Sequence, residues 1–220
     1  VAGGFLPFVF HTFGGIYKDV WLETGPKPAV EPKEPSHIAL TSDDKGPPTN
    51  LRGLLHWGWY PELGHTNPDD ATIRQEVAAA KRLGFNCIKF CLWVPPKRYL
   101  SILAEVGMHG WLELPLWDPS PDPKVLVQLK RELIEIVDEY ANEPAIALWT
   151  IGCELSQGTP PDFREELVKY VRSKTGCQWV KDNSGGAEMY GGDLREFGTF
   201  DDFHPYCDLM FFRPVLDSLL

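Results

Sequence analysis

The sequence has no apolar run approaching the ~18 residues of a membrane-spanning helix and no secretory signal pattern at its start, so no membrane partner is expected. It has no excess of basic residues. Lys and Arg number 21 against 31 Asp and Glu, a net charge of -10, and no basic cluster offers a track for phosphates, so no nucleic-acid partner is expected either. None of the five cysteines, Cys87, Cys91, Cys153, Cys177 and Cys207, forms a C-x-x-C pair, and there is no H-E-x-x-H. We read small buried thiols and expect no metal and no cofactor. A G-x-S-x-G nucleophile elbow is also missing, which argues against a catalytic serine triad. The chain opens on Val1 rather than Met, and the expectation is a soluble piece of a longer protein, either cytoplasmic or exported.

Proline is plentiful but segregated. Residues 1–24 are rich in Phe, Gly and β-branched side chains, and the alternation from Ile16 to Glu23 reads as a strand with one buried face. Residues 25–49 carry six prolines among charged residues and read as a linker. From residue 50 to 220 the texture is regular. Strand-like runs fall at 51–59, 85–93, 109–117, 144–155, 177–180 and 201–206. Helical spacing places Ile73, Val77, Ala80 and Leu83 on one face, then Tyr99, Leu100, Leu103 and Val106 on the next. A third helix, 123–141, turns Val125, Leu129, Leu133, Ile136, Val137 and Tyr140 inward, and a fourth, 161–175, aligns Phe163, Leu167, Tyr170, Val171 and Lys174. A further helix is expected to open near Pro214.

Strand and helix alternate at about the 30-residue period of βαβ units, which predicts a parallel sheet. A doubly wound sheet would carry a glycine-rich phosphate turn after its first strand, but Leu55 is followed by His56-Trp57-Gly58-Trp59-Tyr60-Pro61. The expected fold class is therefore α/β, a (β/α)₈ TIM barrel, incomplete with about six of its eight strands, preceded by a remnant of a β-sandwich. In such folds chemistry collects at the carboxyl ends of the strands. The run from Pro144 to Leu155 is a buried strand that closes on Gly152, Cys153 and one carboxylate, Glu154.

Several stretches resemble the family 2 glycoside hydrolases, the β-galactosidase, β-glucuronidase and β-mannosidase type. Gly14 through Leu22 resembles the closing strand of that family's N-terminal β-sandwich, and Leu51-Arg52-Gly53 the first barrel strand. Arg74 with Phe85 through Lys89, and Gly110 through Leu116, resemble the elements that follow. The most specific stretch is Asn142 through Glu154, which is similar to the family's segment ending in Gly-Asn-Glu. The resemblance implies a β-glycosidase with a carbohydrate substrate, working by retention through two carboxylates about 5 Å apart. Glu154 takes the position of the general acid/base. The nucleophile, a Glu on the seventh strand, is expected beyond residue 220, so the chain alone is expected to be inactive; Glu113 and Glu188 do not fit its motif.

The sequence departs from the family at two positions: Cys153 replaces an Asn that binds the sugar 2-hydroxyl, and Lys89 stands where Arg is frequent. Other candidates carry two readings each. His56 either binds a hydroxyl or is a satisfied structural histidine, and Trp57, Trp59 and Trp117 either stack on sugar or pack. Asp182 either binds hydroxyls or belongs to the Asp-Asn-Ser-Gly turn, to which we give Ser184 and Gly185. His204-Pro205-Tyr206 resembles a site-lining element, with His204 ranked after Glu154. The alternative function is a non-catalytic carbohydrate-binding protein derived from such a barrel; a third is a barrel enzyme without a sugar substrate.

Overall fold

The computed structural model describes residues 51–156, 158–185 and 197–200 together with positions 202, 204, 210, 213, 214 and 217. The expected β-sandwich end at 1–24, the linker at 25–49 and Tyr206 lie outside the described residues, as does most of the strand expected at 201–206.

The elements run β1 (Gly53–His56), α1 (Asp70–Arg82), β2 (Cys87–Phe90), α2 (Lys97–Glu105), β3 (His109–Glu113), α3 (Pro123–Tyr140), β4 (Ile146–Thr150), α4 (Pro161–Thr175) and β5 (Val180–Lys181). Local chemistry sets the helix starts. Asp69 accepts the Thr72 N–H at 2.8 Å at the head of α1, and Asp122 accepts the Lys124 N–H at 2.8 Å before Pro123 opens α3.

All five strands are parallel, and each lies beside its predecessor in the order β1-β2-β3-β4-β5. That is the winding of a barrel; a doubly wound sheet reverses direction at a switch point. The register aligns Leu55, Lys89, Trp111 and Leu148 in one row and His56, Phe90, Leu112, Trp149 and Val180 in the next, with an irregularity between Gly110 and Trp111. Side chains alternate across a strand, so the two rows face opposite ways. The Phe90 row joins Ile73, Tyr99, Leu133, Val137 and Leu167 in one core beneath the helices. The other face carries Lys89, Trp111, Glu113, Thr150 and Lys181, with the Trp111 Nε1–H donating to Thr150 Oγ1 at 2.7 Å. Leu55 on this inner face of β1 is 61% exposed.

Three helix faces differ from the sequence expectation. At α1 Leu83, expected on the buried stripe with Ile73, Val77 and Ala80, is the C-cap residue and 77% exposed, because the helix ends at Arg82. In α3 Leu126 is buried and Val125 exposed, one residue round from the stripe read from the sequence. In α4 the buried face includes Arg164, whereas Lys174 is partly exposed and pairs with Asp138 at 2.8 Å.

Candidate active site

Four consecutive strands each deliver one polar group to the same end of the sheet. β2 carries Lys89 and β3 carries Glu113. Beyond β4 the chain continues through Gly152 and Cys153 to Glu154, and beyond β5 it continues to Ser184. Cys153 bridges Ser184 in parallel, with the Ser184 N–H donating to Gly152 O at 2.9 Å and the Glu154 N–H to Ser184 O at 2.8 Å. A side chain at 152 would stand 2.8 Å from Leu116 O, so only glycine lets this segment run against the extension of β3.

Glu154 follows with φ 49°, in the left-handed region, which turns its side chain out of the strand. Its Oε1 lies 3.1 Å from His204 Nδ1, and the two side chains are 16% and 21% exposed, open enough to be reached and closed enough to be held. The His204 ring rests on Gly185, where a Cβ would stand 2.2 Å from Nδ1 and where φ is +64°. Glycine is required there on both counts.

Behind this pair lies a charged cluster. The Lys89 ammonium is buried 3.1 Å from Glu113 Oε2, 3.3 Å from Asp202 Oδ2 and 2.5 Å from Ser184 Oγ, and sits 4.3 Å above the Trp111 ring. Burial alone would lower its pKa, but the Glu113 and Asp202 carboxylates outweigh burial and push it up, so Lys89 stays cationic. Ser184 Oγ lies 2.6 Å from Asp202 Oδ2 and 2.8 Å from His204 Nε2.

The other candidates fall differently. Cys153 is beside Glu154 but buried, and burial pushes its thiol pKa up, helped by Glu113. That makes it a neutral, weakly polar wall. His56 lies in the helix-facing row, where its Nε2 is 3.1 Å from Tyr60 Oη and 3.4 Å from Glu76 Oε2, and its ring packs against Trp93 at 4.9 Å. An even offset along β1 from Leu54 puts it under the helices, the placement that goes with the structural one of its two readings. Asp182 is fully buried and ion-paired with Arg164 of α4. Trp57 and Trp117 are half-buried and Trp59 is exposed. Ser184, Gly185, Asp202 and Glu113 also stand in this cluster, though the sequence did not single them out for it; the signal was that Ser184 follows β5 as Glu154 follows β4. Among the described residues no cluster of His, Cys, Asp and Glu could hold a metal ion.

No protein-family model matches the chain. It is 24% identical over 159 residues to a β-galactosidase of Vibrio cholerae and 25% identical over 158 residues to β-galactosidase 2 of Enterobacter cloacae, each alignment covering 68% of this chain. The chain spans 15% of the length of these curated relatives. Among solved structures, β-glucuronidase 2 of Bacteroides uniformis is similar at a TM-score of 0.53 and 19% identity, over 60% of this chain and 18% of that one. A family 2 β-galacturonidase from Eisenbergiella tayi bound to galacturonate is similar at 0.51 and 18% identity, over 61% of this chain and 24% of that one. The sequence is thus related to that of family 2 type β-glycosidases, and the fold is shared with them over part of their length.

Proposed function

We propose that this chain is the acid/base-bearing part of a β-glycosidase acting by retention on a carbohydrate substrate. The observation that carries the reading is the partly exposed Glu154 carboxylate at the carboxyl end of β4, held 3.1 Å from an imidazole. A carboxyl group there donates a proton to the departing glycosidic oxygen, then takes one from water as the glycosyl-enzyme is resolved. The nucleophile is a second Glu that we place beyond residue 220. Glu113 does not serve: it is fully buried, ion-paired to Lys89, and accepts the Leu92 N–H at 3.2 Å. The 220-residue chain alone is expected to turn over no aryl β-glycoside.

The test uses the whole gene product with and without Glu154→Gln. A general acid contributes about 10²–10⁴-fold, so the Gln variant should lose that much on substrates with poor leaving groups and far less on activated aryl glycosides. Equal loss on both, or none, would sink the assignment. A second reading, a binding protein that kept the barrel, is favoured by the buried thiol of Cys153 where a hydroxyl-binding group would stand; saturable monosaccharide binding without turnover in the whole gene product would support it.

A further inference from the structure

We propose that Ser184 fixes which nitrogen of His204 carries a hydrogen, and so makes the Glu154–His204 contact a pair that must hold a proton. The catalytic consequence rests on the acid/base reading of Glu154; the placement of hydrogens does not.

Three groups surround Ser184 Oγ: Lys89 Nζ at 2.5 Å, Asp202 Oδ2 at 2.6 Å and His204 Nε2 at 2.8 Å. A serine hydroxyl has one hydrogen to give and two lone pairs to fill. The Lys89 ammonium only donates, so it fills one lone pair. The Asp202 carboxylate, beside that ammonium, only accepts, so it takes the one hydrogen. The remaining lone pair requires Nε2–H on His204. In a neutral imidazole Nδ1 is then bare, and Nδ1 faces Glu154 Oε1 at 3.1 Å.

Two bare acceptors at that distance repel, so one proton stays between them, either as a carboxylic acid donating to Nδ1 or as imidazolium donating to carboxylate. Among the described groups around His204 are Glu154 after β4, Ser184 after β5, Asp202, and Lys89 on β2 with Glu113 behind it. Protonated Glu154 is the state that can donate to a leaving group. Ser184 is a positioning residue in this scheme, acting through His204.

The test follows the ring nitrogens by nuclear magnetic resonance in the full chain with heavy-nitrogen histidine, titrated from about pH 5 to about pH 9. His204→Gln identifies the His204 signals by their loss. Nε2 should keep its hydrogen throughout, with Nδ1 alone changing. In Ser184→Ala the ring is free to place its hydrogen on Nδ1 against ionised Glu154. A bare Nε2 should then appear at the alkaline end, and proton release should move to lower pH. A bare Nε2 in the unmodified chain at any pH where it is folded overturns the proposal, whatever the Ala variant does; an unchanged nitrogen pattern in a folded Ala variant removes Ser184 from its role. If the nitrogen pattern holds while Glu154→Gln leaves turnover on poor leaving groups intact, the acid/base reading fails and the hydrogen placement stands.

Discussion

Glu154 is one of three described non-glycine residues with positive φ, with Leu92 and Asp118, and each lies in the segment between a strand and the next helix. A left-handed residue costs about 1–2 kcal/mol, and here the surroundings over-determine it. The Cys153 N–H donates to Leu116 O at 3.0 Å, the Glu154 N–H to Ser184 O, and the Leu155 N–H to Asn183 Oδ1 at 2.8 Å. The strain belongs to the backbone, so Glu154→Gly should be about 1 kcal/mol more stable than Glu154→Ala in urea unfolding. Equal stability of the two would place no strain at this residue. At this scale the sequence showed only part of the site. Glu154 and His204 were legible because a strand end and a family resemblance marked them. Ser184 and Asp202 were not, because their partner Lys89 lies 95 and 113 positions away and such a contact leaves no local pattern.

Among the elements, β5 has two residues and depends on α4. The fully buried pair Arg164–Asp182 ties the helix to the residue after the strand, and the guanidinium lies 5.6 Å from the Phe197 ring. Removing one partner of a buried ion pair leaves an uncompensated charge and costs about 3–5 kcal/mol. Arg164→Met should therefore unfold at much lower urea, and Asp182→Leu added to it should restore most of the loss. A double variant as unstable as the single one would show that packing and not charge is lost. The helix spans were legible almost to their ends because a 3.6-residue repeat marks them, although in α3 the stripe was placed one residue off. Strands were read too long, since an apolar run continues past the last ladder bond. Which face of β1 met the helices was not legible either, because Leu54 and Leu55 are both apolar and alternation could not choose between the two readings of His56.

In the whole molecule, the parallel winding was legible from the repeat of strand and helix, and the structure adds a polar knot that ties β1, α1 and α2 together. Glu76 of α1 accepts from Tyr60 at 2.9 Å and Tyr99 at 3.1 Å and lies beside His56. Burial raises the Glu76 pKa, but these hydrogen bonds and the His56 charge outweigh it, and the net shift is downward from 4.5. A carboxyl group lowered on folding adds stability that is fully present above about pH 4.5 and is lost as pH falls through its folded value. Glu76→Gln should thus be less stable at neutral pH and show a shallower acid decline in denaturation midpoints. Parallel curves for the two proteins would dissociate Glu76 from acid stability.

The bridge between Cys153 and Ser184 also makes His204 a gauge of alignment. Sliding β5 by one residue against β4 would bring Asn183 or Gly185 to the place of Ser184 and leave Lys89, Asp202 and His204 without the hydroxyl they meet on. A single ring-nitrogen resonance then reports whether four separate strands have assembled in phase, so the folding of this chain can be followed at its site without a substrate.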